Sequence, residues 1–215
     1  MKVSPIKIPE AACNDSRFSD LLGATEWTAL PATLRRRFRK RLHGGASVAY
    51  QGRVVKMRLS LAGRILAHAA RLIGAPLPYD MSSQDQPAVV VVTEDIASNG
   101  QFWIRQYNRK SGFPQVIHSS KRFAGPTGLE EYIGYGIGMA LRVEAQDKAL
   151  FFKSDHYFLQ LFGRRLRLPR ALSPGALVIG HHDLGDGAFL FSLDLHNRLF
   201  GPLIQQDALF QDAKE

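Results

Sequence analysis

His181, Asp183, Asp194 and His196 are the residues of this 215-residue chain whose types and spacing come closest to a catalytic group. They lie on two alternating segments, 177–183 and 188–196, joined by Gly185-Asp186-Gly187, a hairpin-turn composition. A two-residue turn there puts His182 beside Phe189, Phe191 and Leu193. His181 and Asp183 then share the opposite face with Ser192, Asp194 and His196. In that register His181, Asp183 and Asp194 are near enough to share a proton or a divalent ion, for which imidazole and carboxylate are ordinary ligands. A turn longer by one residue flips the alternation and leaves only an exposed polar face.

A second set suits ligand binding. Trp103, Arg105, Tyr107, Phe189 and Phe191 sit in strand-like segments rich in rings, and Arg105 and Arg142 are placed to meet an acidic headgroup. Gly134, Gly136 and Gly138 fall at every second residue. Without a third fingerprint glycine and a following helix they are no dinucleotide loop. Gly136 and Gly138 instead bare one sheet face, to which a helix or flat ligand can come close. A third set is cationic: Arg35, Arg36, Arg37, Arg39, Lys40 and Arg41 account for six of the +9 formal charges, leaving +3 for the rest. Such a helix suits an anionic membrane surface, or is simply a solvated face.

Other chemistries are poorly represented. The sequence contains no G-x-S-x-G elbow, C-x-x-C, H-E-x-x-H or P-loop. It shows no cofactor fingerprint and no helix-turn-helix, zinc-finger or ribonucleoprotein pattern, so nucleic acid is not the expected partner. Cys13, the one cysteine, allows no disulfide within the chain, and no apolar run approaches a membrane span. A cytoplasmic protein is expected.

The elements that must position these residues are mostly strands. Residues 1–16 read as a flexible tail and 17–215 as one β-rich domain. Leu34, Phe38 and Leu42 recur every fourth residue on a first helix that opens at Leu30-Pro31 and stops at His43-Gly44-Gly45. A second helix covers 61–73, with Leu61, Ile65, Ala69 and Leu72 on one face and Arg64, His68 and Arg71 on another. Between them, 47–56 reads as a short strand pair turning at Gln51-Gly52. From Ala88 onward, segments 88–93, 101–107, 115–123, 135–144, 149–153, 156–162, 165–168, 177–183, 188–196 and 205–210 read as strands bounded by turn residues. The expected fold is mainly β (α+β): an antiparallel meander forming a barrel or strongly curved sheet, with two N-terminal amphipathic helices.

Several stretches are similar to a known family. Leu30-Pro31 with Leu34-Arg35-Arg36-Arg37-Phe38, Phe162-Gly163-Arg164-Arg165-Leu166-Arg167-Leu168-Pro169 and Leu172-Ser173-Pro174-Gly175 resemble the bacterial domain-of-unknown-function family 4166. So do His182-Asp183-Leu184-Gly185-Asp186-Gly187, Phe189-Leu190-Phe191, His196-Asn197-Arg198-Leu199-Phe200-Gly201 and Gln205-Gln206. The family tends to have His-Pro where this chain has His196-Asn197. The resemblance covers about residues 28–212. It implies an accessory or substrate-holding domain, since such domains occur joined to or beside dehydrogenase-like domains of the saccharopine or short-chain type. The leading expectation is a module that binds a small apolar or amphipathic, lipid-like ligand, with a dehydrogenase-like protein or an anionic membrane as further partners. An enzyme or metal-dependent subunit using the His/Asp group, and a protein-interaction domain, are the alternatives.

Overall fold

The computed structural model describes residues 14–42 and 44–212. Of the tail expected over 1–16, residues 1–13 with Cys13 lie outside the described residues, as does His43. Asp15 is buried, with its N–H on the Arg39 carbonyl (2.9 Å) and its carboxylate on Arg17.

The strands are β1 (Ser47–Leu59), β2 (Pro87–Asp95), β3 (Gly100–Tyr107), β4 (Gln115–Arg122), β5 (Leu129–Gly134), β6 (Ile137–Gln146) and β7 (Ala149–Leu161). They continue through β8 (Arg164–Arg167), β9 (Ala176–Gly185), β10 (Ala188–Asn197) and β11 (Gly201–Gln211). All pairings are antiparallel, and β1–β11 together with β6–β7 close ten strands into a barrel. β8 branches from the end of β7, where β9 no longer pairs with it.

Several strand expectations change, among them segments 149–153 and 156–162, which form the single strand β7. Residues 47–59 form one continuous strand instead of a hairpin, because Gly52 lets the Leu209 backbone of β11 come close; an added Cβ would lie 2.0 Å from the Leu209 carbonyl oxygen. Residues 129–134 are a strand not expected from the sequence. The strand expected from Tyr135 starts at Ile137, because Gly134, Tyr135 and Gly136 all have positive φ and make the β5–β6 turn.

A barrel of ten strands is wider than one its own side chains fill easily. Helices α1 (Arg17–Leu22), α2 (Ala24–Ala29) and α3 (Ala32–Phe38) cork one end. Phe18 of α1 meets Phe38 of α3 and Phe152 of β7 edge-on at 5.2 and 6.0 Å, and Phe38 stacks over Trp103 at 6.4 Å. The helix expected to run to Leu42 stops at Phe38, although Leu34, Phe38 and Leu42 are all buried as their spacing predicts.

Helix α4 (Leu61–Ala69), extended by a 3₁₀ turn Ala70–Ile73, crosses the other end. Neither the bulky face nor the basic face read from the sequence is the buried one. Gly63, Ala67 and Ala70 are its buried residues, whereas Leu61, Ile65 and Leu72 are exposed. The cause is close approach: a Cβ on Gly63 would lie 1.9 Å from the Leu203 carbonyl oxygen of β11. Gly63→Ala is therefore expected to destabilise the fold by about 1–3 kcal/mol, despite alanine's better helix propensity. Thermal unfolding reads this out; an unchanged midpoint would mean that α4 lifts from β11 at no cost.

Candidate functional site

Along β3, Gln101, Trp103, Arg105 and Tyr107 are buried while Phe102 and Gln106 are exposed, so one face turns inward. On β4 the inward residues are Gln115, Ile117, Ser119 and Lys121, paired across the ladder with Tyr107, Arg105, Trp103 and Gln101. Glu131 of β5 stands opposite Lys121. Three adjacent strands thus place charged side chains inside the barrel.

Glu131 is the hub. Lys121 Nζ donates to its Oε2 at 2.6 Å, Ser119 Oγ to its Oε1 at 2.5 Å, and Arg105 Nη2 to Oε1 at 3.3 Å. Arg105 Nη1 also donates to Ser119 Oγ (3.1 Å). Burial pushes the Glu131 carboxyl up, but the two cations and the hydrogen bonds pull it further down, to about 2. Burial lowers the Lys121 ammonium, opposed by Glu131. Lys121 is further held 5.0 and 5.4 Å over the rings of Phe152 and Trp103. Two cations thus face one carboxylate. Among the described residues no second carboxylate pairs with either of them.

Beside this cluster the barrel is hollow. A cavity of about 830 Å³, within the size range of small-molecule sites, lies between the polar cluster and α4. Its wall is apolar, formed by residues such as Tyr107, Ile117, Met139, Phe191 and Leu193, and Arg105, Ser119, Glu131 and Gln206 face it. Gln206 is fully buried, and neither oxygen nor nitrogen of its amide has a partner among the described residues. A buried amide left in that condition costs about 1–3 kcal/mol per group. The exposed lining residues Ile65, Leu72, Leu172 and Phe200 place the opening between α4, the 3₁₀ turn Arg170–Leu172 and the β10–β11 turn.

The residues expected from the sequence divide accordingly. Arg105, Tyr107 and Phe191 line the cavity. Trp103 and Phe189 belong to the packed cork. Gly138 accommodates the Phe158 ring and Gly136 the Gln160 carbonyl, so the bared glycines serve strand packing. Arg142 is exposed and bonds Asp155 at 2.7 Å.

The His/Asp group does not assemble. A register shift between Ala188 and Phe189 pairs Phe191 with His181 and Phe189 with Asp183, which flips the alternation. His181 consequently points inward among the rings of Phe38, Trp103, Phe152, Phe189 and Phe191. Burial, reinforced by Arg37 and Lys121, lowers its pKa far below the usual value and keeps it neutral. Asp183 accepts from Thr33 Oγ1 (2.7 Å), His182 meets Ser192, Asp194 accepts from Gln205, and His196 is exposed. Among the described residues no three His, Cys, Asp or Glu converge as metal ligands.

The basic helix is also divided. Arg37 is buried, doubly bonded to Asp212 (2.9 Å each) and 3.8 Å over the Phe189 ring, and so leaves the expected anionic-surface set. Arg41 reaches Asn99 (3.1 Å), and Arg36 and Arg39 are exposed. α3 packs on the corked end of β9, near Asp183, whereas Leu177 at the start of β9 lines the cavity. Its cations are therefore remote from the opening.

Fold and cavity define the class: an antiparallel β-barrel corked at one end and hollow at the other, compatible with ligand binding. The chain belongs to the family described as a domain of unknown function, DUF4166, whose model matches residues 30–210. No curated protein and no solved structure matches it.

Proposed function

We propose that the barrel binds one lipid-like molecule, its apolar body in the cavity and an anionic group against Arg105. The observation that carries this reading is a polar patch with surplus positive charge in the wall of an otherwise apolar, ligand-sized cavity. A guanidinium has five N–H donors, of which Ser119 and Glu131 occupy few, so Arg105 has donors left for a carboxylate. Apolar burial supplies affinity, at about 25 cal/mol per Å² removed from water. The charge supplies selectivity. A dehydrogenase-like partner, as the family resemblance implies, would exchange ligand with such a holder.

Equilibrium binding of hexadecanoate and of hexadecanol to the wild-type chain tests the reading. One site per chain is expected, with the acid bound roughly 10–100-fold more tightly, the value of hydrogen bonds to a charged group. Equal affinities would remove the anionic group from the proposal. Absence of binding for both would remove the ligand.

A further inference from the structure

We infer that the mouth of the barrel docks on an anionic lipid bilayer. This surface is the rim of the cavity described above, and docking through it does not depend on what the cavity holds.

Three chain segments meet at the opening, since Ile65 and Leu72, Leu172, and Phe200 all line the same cavity. Asn197 Nδ2 donates to the Pro174 carbonyl (3.2 Å) and ties two of them together. Each segment turns large apolar side chains to solvent: Leu61, Ile65 and Leu72 from α4 and its extension, Leu172 from the 3₁₀ turn, Leu199 and Phe200 from the β10–β11 turn. Leu72 is 85% exposed and Leu199 87%. Isolated exposed leucines are commonplace, but exposed apolar side chains from three segments gathered at one cavity mouth, as Ile65, Leu72, Leu172 and Phe200 are, mark an interaction site.

The charge on the same segments selects the partner. Residues 59–79, 161–182 and 195–206 contain no Asp or Glu. They carry exposed arginines instead; Arg165 pairs with Glu130, whereas Arg64, Arg170 and Arg198 are in no ion pair among the described residues. Cations interleaved with protruding Leu, Ile and Phe match a negatively charged headgroup layer over an apolar interior. On α4 this arrangement follows from the close packing of Gly63, Ala67 and Ala70 on the barrel, which turns the bulky stripe outward. No helix among the described residues is long and apolar enough to cross a membrane, so the contact is with its surface.

The test is co-sedimentation with vesicles of phosphatidylcholine alone and of phosphatidylcholine with one third phosphatidylglycerol. Three proteins are compared with the wild type: Arg64→Gln/Arg170→Gln/Arg198→Gln, Ile65→Asp/Leu72→Asp, and an α3 variant, Arg35→Gln/Arg36→Gln/Arg39→Gln, on that helix and its C-terminal cap. The substituted side chains are exposed, or half-buried in the case of Arg35, and circular dichroism checks that each variant is folded. The wild type is expected on the anionic vesicles only. The arginine triple variant should lose roughly 100-fold in partition, at the value of a basic residue near a charged surface, and the aspartate variant should lose binding altogether. The α3 variant should partition like the wild type. A wild type that stays in the supernatant would overturn the inference and leave a protein partner as the occupant of the rim. A loss confined to the α3 variant would overturn it equally, moving the contact to the corked end.

Discussion

Glu131→Gln is expected to be the most damaging conservative substitution in this protein. The side chain keeps its size and loses its charge, which leaves Lys121 and Arg105 inside the barrel with no counter-ion. Removing one partner of a buried ion pair costs about 3–5 kcal/mol, a fall of roughly 6–20 °C in melting temperature for a chain of this size. Adding Lys121→Met should restore much of the loss, since the surplus buried charge is then gone. The same carboxylate sets an acid limit. Its folded-state value of about 2 lies below the ordinary 4.5, so its contribution is complete above pH 4.5 and is lost as pH falls from there toward 2. Acid titration followed by circular dichroism should show this limb in the wild type and a weaker one in Glu131→Gln. A Glu131→Gln protein as stable as the wild type would mean that the charged cluster is wet and loosely held.

Arg105→Met should behave in the opposite way. It removes the surplus cation and leaves Lys121 and Glu131 as a neutral pair at 2.6 Å, so the fold should lose far less than in Glu131→Gln. Ligand selectivity should collapse instead. Affinity for hexadecanoate should fall roughly 10–100-fold, while affinity for hexadecanol holds or rises as the wall becomes more apolar. Gln206→Leu provides a second reading of the same patch: it removes a buried amide with no protein partner, so stability should hold or improve while a polar ligand group loses its contact. Uniform losses for acid and alcohol in Arg105→Met would show that the arginine shapes the cavity without reading charge.

Much of the barrel was legible because its strands carry strong local signals. The β-branched run Val89–Val92, the turn at Gly185-Asp186-Gly187 and the alternation of Ile137, Met139 and Leu141 each read correctly as strand or turn. What failed was the choice of face. On β4, Gln115, Ile117, Ser119 and Lys121 alternate with Val116, His118, Ser120 and Arg122, and neither set is apolar enough to declare itself inward. On β5, Glu130 and Glu131 are adjacent, and only pairing with Lys121 shows which of them faces the interior charge. Of the polar half of the site the sequence therefore marks only Arg105, beside Tyr107 and Phe191 of the apolar wall. The His/Asp group failed through one register shift at Ala188, a backbone event that composition does not record. On helix α4 the periodicity groups Leu61, Ile65, Ala69 and Leu72 on one face but does not say which face is buried; the tight fit against Leu203 admits only glycine and alanine and turns the bulky residues outward.

Native mass spectrometry can show whether the hollow half of the barrel holds one lipid-like acid. The protein is measured as purified from its expression host, then after organic extraction, and then with hexadecanoate added back. A discrete extra mass of a few hundred daltons is expected, which extraction removes and one equivalent of hexadecanoate replaces. A bare chain mass at all three stages would contradict it, and would make the cavity a void of the fold with no ligand to hold.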